Sequence, residues 1–334
     1  MQSMTQTIDE LAAAALSDAA VPGISYSVFG PDMNAGHALG FQGQGADHLP
    51  LTGAALYDLA SLTKVVGTTT RLLQLLAAHK LHLTDTVGQY VGGCAAPELT
   101  IEQLMLHRSG LPADVAGTHG MNRAQLDTAV RSAQPHYTPG TVTEYSDLNY
   151  ILLGRVIAAI DGSLAASVSS QVLRPLGMTS SGYNLQAPLA RFVPTENRPE
   201  RGGIVRGKAH DHKAYLMGGV SGHAGLFSNL DDLTIFTRAM TGLTKTPVLP
   251  PAVFKLLADH DVGGRTLGWR RWSHGQQYWH TGFTGTSIAF DRDKQTGFVC
   301  LTNRVYPTRT NRAFLAVRRQ MLTAFFGQES EWQD

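Results

Sequence analysis

The stretch Asp58-Leu59-Ala60-Ser61-Leu62-Thr63-Lys64-Val65 places a hydroxyl and an amine three residues apart, where an apolar helical pattern begins. Residues i and i+3 share one face of a helix, so the amine of Lys64 can reach the oxygen of Ser61. A serine becomes a good nucleophile when a base takes its proton, and a desolvated lysine can be that base. N–H groups at the helix N-terminus can receive developing negative charge. The stretch predicts acyl-enzyme chemistry at Ser61.

This Ser-x-x-Lys pattern also has a structural interpretation. Serine and lysine are both common, so about one such pattern is expected by chance in a chain of this size. Ser61 would then cap the helix and Lys64 would lie on the surface. Two further motifs favour the catalytic interpretation.

The second motif is the run Pro139-Gly140-Thr141-Val142-Thr143-Glu144-Tyr145-Ser146-Asp147-Leu148-Asn149-Tyr150. A turn delivers Tyr145 just before a helix that Ser146 or Asp147 can cap. A phenol near a lysine can relay a proton, so Tyr145 could serve first as base and then as acid. The alternative is a turn tyrosine that packs against the following helix.

The third motif is the run Trp279-His280-Thr281-Gly282-Phe283-Thr284-Gly285, which ends a predicted strand with a polar pair and two glycines. The glycines would let a substrate backbone approach the strand edge. The N–H groups of Phe283 and Ser61 could then form an oxyanion hole. The alternative is a glycine hairpin with a solvent-facing histidine. The candidate substrate-binding residues of this run are His280, Thr281, Gly282 and Phe283.

Ser61-Leu62-Thr63-Lys64, Tyr145-Ser146-Asp147 and His280-Thr281-Gly282 follow one another in the order of the three motifs of penicillin-recognising serine hydrolases. Over almost its whole length the chain resembles the branch related to class C β-lactamases, which includes D-alanyl-D-alanine carboxypeptidases and β-lactamase-like esterases. Three supporting stretches are similar to the same branch: residues 106–112, 173–178 and 218–228.

The resemblance implies that Ser61 is the nucleophile, Lys64 the general base and Tyr145 the proton shuttle. His280 would shape the site electrostatically and help to orient a substrate carboxylate. The reaction would be acylation of Ser61, departure of the leaving group and hydrolysis of the ester by water. The resemblance implies no metal and no other cofactor.

Two residues depart from the pattern of dedicated class C β-lactamases. These usually carry Lys at the position of His280, and a neutral imidazole attracts a carboxylate more weakly and in a pH-dependent way. The second motif usually ends in Asn, whereas Asp147 is a carboxylate that only accepts hydrogen bonds when ionised. Asp147 is a candidate substrate-binding residue, or it could pair with Lys64 and raise the pKa of that amine. Both departures fit an esterase or small peptidase better than efficient β-lactam hydrolysis.

The run His210-Asp211-His212, followed by His223, has two interpretations. Two histidines at i and i+2 with a third could hold zinc with an open position. Alternatively, the run is a polar loop that borders the cleft, with His223 satisfied by backbone. The spacing matches no defined zinc motif, and the serine machinery makes a metal redundant, so we predict no metal site.

Composition limits the other function classes. The 334 residues carry 27 Lys+Arg against 26 Asp+Glu, 43% hydrophobic residues and 16% charged residues. These values fit a compact enzyme and predict no nucleic acid or membrane partner. The resemblance implies a small-molecule or short-peptide substrate. Residues 1–20 predict an amphipathic helix and not a signal peptide, and no apolar run is long enough to span a bilayer, so we expect a cytoplasmic protein. The two cysteines, Cys94 and Cys300, predict no disulfide framework.

Strand patterns at both ends of the chain and helical patterns between them predict an α/β (α+β) fold. Predicted strands cover residues 24–29, 37–43, 265–272, 277–281, 286–291 and 296–302, and the segment 186–213 reads as a long loop. Hairpin-length turns predict an antiparallel sheet flanked by helices. We expect residues 1–78 and 214–334 to form the sheet domain, and residues 79–213 to form a mostly helical inserted domain.

The predicted function is a serine hydrolase that acts on a small ester, amide or D-amino-acid peptide through Ser61. The alternatives are a D,D-carboxypeptidase or true class C β-lactamase, a catalytically weak penicillin-binding sensor, and a metal hydrolase. The sequence does not specify the substrate or the oligomeric state.

Overall fold

The computed structural model describes residues 2–331, with side chains from Met4 onward. Met1 of the predicted N-terminal helix and residues 332–334 of the predicted sheet domain lie outside the described residues. The strands are β1 (Gly23–Gly30), β2 (Met33–Gly40), β3 (Tyr57–Asp58), β4 (Gly182–Tyr183), β5 (Asn197–Arg198), β6 (Gly203–Ile204), β7 (Leu226–Ser228), β8 (Arg270–Arg271), β9 (Gln277–Thr281), β10 (Ser287–Asp291) and β11 (Thr296–Thr302).

Helices precede, interrupt and follow these strands. They are α1 (Gln2–Ser17), α2 (Thr70–Ala77), α3 (Ile101–Met105), α4 (Arg123–Arg131), α5 (Asp147–Asp161), α6 (Leu164–Val168), α7 (Arg174–Leu176), α8 (His212–Leu216), α9 (Leu230–Thr241), α10 (Pro251–Asp259) and α11 (Ala313–Phe326). Two wider, π-helical segments, Lys64–Thr69 and Ser169–Leu173, lead into α2 and α7.

The central sheet has six antiparallel strands in the order β2-β1-β11-β10-β9-β8. Successive side chains of a strand point to opposite faces of the sheet, so β11 contributes apolar side chains to the clusters on both faces. Phe298 and Cys300 pack into one apolar cluster with α1 and α11, whereas Val299 and Leu301 pack into the larger cluster on the other face. The sheet therefore lies between two helical layers, and the predicted fold class is confirmed.

Several predicted boundaries are wrong. The strand predicted over 265–272 is only Arg270–Arg271, and the second strand begins at Met33 and ends at Gly40, instead of covering 37–43. The segment 186–213 contains a small ribbon of β5 and β6 and the start of α8, and so is not a continuous loop. Short two-residue pairings leave almost no hydrophobic period to read, which explains why pattern analysis misses them.

A second sheet, in the order β3-β7-β4, joins distant parts of the chain. β4 comes from the middle of the chain, and β3 directly precedes the Ser61 turn.

The division into a sheet domain and an inserted helical domain, with boundaries at 78/79 and 213/214, stays a prediction. No single helix within residues 2–331 has the length and apolar character needed to cross a membrane, and one pair bent by 79° passes on length and composition alone.

Candidate active site

Ser61 lies in a tight turn that joins β3 to the buried π-helical segment Lys64–Thr69. The backbone of Ala60 has a φ of 45°, a left-handed conformation that is uncommon for a residue with a Cβ. The buried carboxylate of Asp58 holds this turn, because its Oδ1 accepts the N–H of Ala60 at 2.8 Å and its Oδ2 accepts the N–H of His210 at 2.6 Å. The N–H of Leu59 donates to the carbonyl of Leu226 at 3.0 Å. The turn before the nucleophile is therefore fixed by contacts with two distant segments, at His210 and at Leu226.

Lys64 lies one turn after Ser61 and is fully buried. Its Nζ donates to Ser61 Oγ at 2.9 Å, to Asp147 Oδ1 at 2.8 Å and to the carbonyl of His223 at 3.4 Å. It also lies 4.7 Å from the centre of the Tyr145 ring. The surface interpretation of Lys64 is therefore wrong, and the predicted pairing of Lys64 with Asp147 is present.

His107 positions the segment that carries Tyr145 and Asp147. Its buried Nδ1 accepts the N–H of Ser146 at 3.1 Å, its carbonyl accepts the N–H of Glu144 at 2.9 Å, and its ring lies 4.5 Å from the Tyr145 ring. A hydrogen bond from Ser146 Oγ to the carbonyl of Pro112, 2.6 Å long, adds a second tie. Burial, reinforced by nearby Arg265 and Lys64, lowers the pKa of His107 well below its ordinary value, so the ring is a neutral acceptor.

The third motif forms the end of β9 and the turn that follows. Thr284 Oγ1 donates to the carbonyl of Asp58 at 2.8 Å, and Thr286 Oγ1 donates to the carbonyl of Leu59 at 3.1 Å. A Cβ on Gly282 would collide with Thr286 Oγ1 and with the Leu59 carbonyl, so this position requires glycine. The turn and the Ser61 loop are thereby packed together, as the oxyanion-hole hypothesis requires.

His280 is buried, with 3% of its surface exposed, and so is not the solvent-facing histidine of the alternative interpretation. Its Nδ1–H donates to the carbonyl of Thr281 at 3.0 Å. Burial, followed by the charges of Lys64, Arg265 and Arg270, lowers the pKa of His280 well below its ordinary value. The ring is therefore neutral at physiological pH, and the pH-dependent attraction for a carboxylate that the sequence suggested is not expected there.

Two cavities meet at Ser61. The larger, of about 670 Å³, is lined by Ser61, Tyr145, the third motif and part of the chain between β11 and the end of α11. The smaller, of about 280 Å³, is lined by Ser61, Tyr145, Asp147 and the loops that carry His119 and Arg198. Both volumes are near or within the range of small-ligand sites. The structure therefore brings together Ser61, Lys64, Tyr145, Asp147, His280, Thr281, Gly282 and Phe283 around one cleft.

Behind the nucleophile, lysine and aspartate side chains of alternating charge form a chain that ends at His223. Asp147 Oδ1 binds Lys64, and its Oδ2 lies 3.2 Å from the Nζ of buried Lys213. Lys213 lies 3.5 Å from Asp211, whose other oxygen lies 2.7 Å from the Nε2 of His223. Each lysine and aspartate of this chain thus has a neighbour of opposite charge, which offsets the cost of burying it.

This chain sets the protonation of the lysine beside Ser61. Burial by itself lowers the pKa of Lys64, but the charges of Asp147 and Tyr145 outweigh it and raise the pKa above the ordinary lysine value. Burial likewise opposes the Asp147 carboxylate, yet Lys64, His223 and Lys213 lower its pKa below the ordinary value. Lys64 is therefore an ammonium and Asp147 a carboxylate at neutral pH.

The three histidines of the suggested zinc cluster point to separate partners. His210 Nε2 lies 2.9 Å from Glu196, and His212 Nε2 donates to the carbonyl of Thr118 at 3.1 Å. His223 is satisfied by the side chains of Asp211 and Ser221 and not by backbone, which corrects the sequence-based alternative. Among the described residues, Asp147, Asp211 and His223 do bring ligand atoms within 4.8 Å of one another, but the ammonium groups of Lys64 and Lys213 already contact these carboxylates.

A model of the family described as Beta-lactamase matches residues 5–320. The chain belongs to the beta-lactamase family. A beta-lactamase-family relative from Escherichia coli O157:H7, named "Putative D-alanyl-D-alanine carboxypeptidase", is 32% identical over 312 residues, which cover 78% of this chain and 71% of the relative. The family and this relative indicate that the protein is a serine hydrolase.

Solved structures of similar fold agree with this beta-lactamase architecture. A beta-lactamase/D-alanine carboxypeptidase from Pseudomonas syringae has a TM-score of 0.77 at 21% identity, covering 95% of this chain and 98% of its own. A D-alanine carboxypeptidase AmpC from Burkholderia cenocepacia has a TM-score of 0.76 at 20% identity, covering 98% and 99%. At these identities the likeness shows the fold.

Sequence reasoning missed three groups in this beta-lactamase-family site. Asp58 stands in the quoted nucleophile stretch, but its role in holding the Ala60 turn depends on two backbone N–H groups that only folding brings near. Lys213 directly follows the histidine run, and a lysine there gave no signal by itself. The arginines of the larger cavity could have been noticed in the sequence as a cluster, since five of them occur within residues 304–319.

Proposed function

We propose that this protein hydrolyses a small ester, amide or peptide ending in a D-amino acid through an acyl-enzyme at Ser61. The observation that carries the proposal is the 2.9 Å hydrogen bond from Lys64 Nζ to Ser61 Oγ, at a junction of two cavities that Tyr145 also lines. A nucleophile, a neighbouring cation and a phenol at one cleft are the parts that acyl transfer requires.

The protonation state of the site divides the work between Lys64 and Tyr145. An ammonium cannot accept the proton of Ser61, so Tyr145 in its phenolate form takes it as the oxygen attacks the carbonyl carbon. Tyr145 then returns the proton to the leaving oxygen or nitrogen as that bond breaks. In the second half, water gives a proton to Tyr145 and its oxygen attacks the ester carbon. Tyr145 then passes that proton to Ser61 Oγ as the bond between the acyl carbon and Ser61 breaks, which restores the free enzyme. The Lys64 ammonium holds Ser61 in place and favours the negative charge that develops nearby.

The N–H groups of Ser61 and Phe283 are the proposed oxyanion hole. Both residues line the larger cavity, and the hydrogen bonds of Thr284 and Thr286 hold the two segments against each other. Such donors are effective because they are oriented before the charge appears.

Relatives named as D-alanyl-D-alanine carboxypeptidases support the D,D-peptidase version of this function. The two lysine contacts of Asp147 occupy both its oxygens, and a carboxylate has no N–H to offer to a substrate carbonyl. This arrangement supports peptide or ester turnover over efficient β-lactam hydrolysis.

The test compares purified wild type with Ser61→Ala on short-acyl p-nitrophenyl esters, D-Ala-D-Ala peptides and nitrocefin. We expect ester or peptide turnover in the wild type, a loss of at least 1,000-fold in Ser61→Ala, and an acyl adduct on Ser61 by mass spectrometry. Ser170→Ala, at an exposed serine, is the matched control and should retain full activity. Equal rates for wild type and Ser61→Ala would refute the nucleophile. Stable labelling by a fluorescent penicillin without any turnover would favour the sensor.

A further inference from the structure

The larger cavity beside Ser61 is lined by an unusual number of arginines. Its lining includes six, and no Asp or Glu of the described residues lines it. They are Arg270 on β8, Arg304, Arg309 and Arg312 between β11 and α11, and Arg318 and Arg319 on α11. The whole chain is nearly neutral, so this concentration of positive charge is local. We call this cavity the arginine groove.

The arginine groove follows one face of α11. Arg312, Leu315, Arg319 and Leu322 line it, and their spacing of three, four and three residues puts them on a single helical face. Ten residues of helix span about 15 Å, so the groove extends well beyond the reacting bond. Alternating guanidinium and leucine side chains suit a ligand with several anionic groups on a hydrocarbon skeleton.

The groove is physically tied to the nucleophile. Arg318 Nη1 donates to the carbonyl of Gly282 at 3.2 Å. The guanidinium groups of Arg304 and Arg309 lie 4.7 Å and 5.6 Å from the centre of the Phe283 ring, one residue further along. A substrate whose reactive carbonyl is at Ser61 would therefore extend its remaining groups among these arginines.

Protein carboxylates offset only part of this charge. Arg309 is paired with Glu196 at 2.6 Å, and Arg319 lies 3.7 Å from Glu329. Within residues 2–331 no carboxylate pairs with Arg304 or Arg312. Arg304 has 5% of its surface exposed, and its Nε has no hydrogen-bond partner among the described residues. Burial, followed by the like charges of Arg312 and Arg309, lowers the pKa of Arg304 below its ordinary value.

A single carboxylate does not account for this arrangement. One guanidinium can bind one carboxylate through two parallel hydrogen bonds, so the terminus of a D-amino acid needs one arginine and not six. Clustered like charges destabilise the folded protein unless an anion binds among them. Neutral His280 adds no charge, so the attraction must come from the arginines.

We propose that the arginine groove selects substrates that carry two or more carboxylates, such as short acidic peptides or esters of polycarboxylic acids. This inference rests on the proposed function, because it assigns the substrate class of the Ser61 site. The reaction itself is unchanged: the acyl carbon bonds to Ser61 Oγ, and the leaving group departs with a proton.

The first experiment uses two substrate series with wild-type enzyme. One consists of the p-nitrophenyl esters of butyric, glutaric and tricarballylic acids, which carry zero, one and two free carboxylates. The other compares N-acetyl-D-Ala-D-Ala with N-acetyl-D-Ala-D-Glu, which adds a carboxylate to the leaving residue. We expect kcat/KM to rise at least tenfold with the added charge in one series. The advantage should shrink at least fivefold between 20 mM and 500 mM NaCl, because salt screens exposed charges.

Variants then test which arginines produce the preference for added carboxylates. Arg312→Gln and Arg319→Gln lie at exposed or half-buried positions, so both should fold. Each should reduce the ratio of kcat/KM for the more charged substrate to that for its less charged partner by about tenfold. Arg174→Gln, at an exposed arginine of α7, is the matched control and should leave the ratio unchanged. Circular dichroism verifies folding.

The outcomes separate this inference from the proposed function. If both series show no preference for added carboxylates and no salt effect, while Ser61→Ala is inactive, the inference is wrong and the acyl-enzyme function stands. If no ester or peptide is turned over at all, the proposed function is wrong, and the inference that rests on it is wrong as well. Inhibition by citrate should exceed inhibition by pyrophosphate at matched ionic strength, and the reverse order would refute the carboxylate assignment in favour of phosphate.

Discussion

Substitution of Asp147 by Asn removes the carboxylate that holds Lys64 as an ammonium. The two groups lie 2.8 Å apart, and Lys64 is fully buried. At an effective dielectric constant of about 20, their attraction is about 6 kcal/mol, equivalent to about 4 units in the pKa of Lys64. The side chain of Asp147 is 20% exposed, and the Asn carbonyl can still accept a hydrogen bond, so we expect most of this decrease, at least about 3 units.

The direction of the change in the pKa of Lys64 follows from two opposing causes, burial, which lowers it, and the charge of Asp147, which raises it. In the wild type the pKa of Lys64 is above the ordinary lysine value, so the ammonium persists throughout the accessible pH range. In Asp147→Asn only Tyr145 still opposes the cost of burial, and the amine loses its proton at lower pH. Hydrolysis should then decline on the alkaline side, because the ammonium beside Ser61 is lost.

The assay is the pH dependence of kcat/KM on a neutral p-nitrophenyl ester from pH 6 to about 10.5. We expect no alkaline decline below about pH 10 in the wild type and a clear decline below that value in Asp147→Asn. Asp127→Asn, which removes a half-exposed carboxylate paired with Arg131, is the matched control and should follow the wild type. A folded Asp147→Asn enzyme with the wild-type profile would refute the role assigned to the Lys64–Asp147 pair.

Two further predictions concern stability. Gly282→Ala should lower the free energy of unfolding by about 1–3 kcal/mol and reduce kcat/KM, because its Cβ collides with Thr286 Oγ1 and the Leu59 carbonyl. Gly275→Ala, whose Cβ would make only ordinary contacts at 3.7 Å and beyond, should be near neutral in thermal denaturation, and equal losses in both variants would contradict the argument. The folded-state pKa of Asp147 is about 2, below the ordinary 3.8, so its stabilisation of about 2 kcal/mol is present above about pH 4 and is lost as the pH falls toward 2. Urea midpoints should therefore decline from pH 5 to pH 3 and decline less in Asp147→Asn, whereas a midpoint independent of pH in the wild type would contradict the assignment.

The three motifs were readable from sequence because each has a local physical origin. Ser61 and Lys64 are one helical turn apart, and Tyr145 and Asp147 flank a helix start, so spacing alone predicts which atoms can meet. The strands β9, β10 and β11 were predicted almost to the residue, since each is bounded by glycine or aspartate turns. Family resemblance then placed the motifs in one site.

The protonation of the site was not readable in the same way. The sequence allowed Asp147 either to face substrate or to pair with Lys64, and the choice depends on a second lysine, Lys213, that reaches the other carboxylate oxygen. Likewise His280 titrates normally in water, and only its burial near three cations makes it neutral. Burial and distant charges are properties of the folded chain and have no local sequence signal.

By itself, the sequence indicated the candidate nucleophile with its nearest helical neighbour and the antiparallel sheet, because these depend on short-range spacing and periodicity. The family was indicated by the resemblance of the three motifs. Tertiary structure alone decided that Lys64 is an ammonium and that α11 turns four of its arginines and leucines toward Ser61. The physical reason is that Coulomb energies and cavity walls depend on distances between segments far apart in the chain. Ser61 and Arg312, for example, are 251 residues apart, and only the packed fold sets the distance between them.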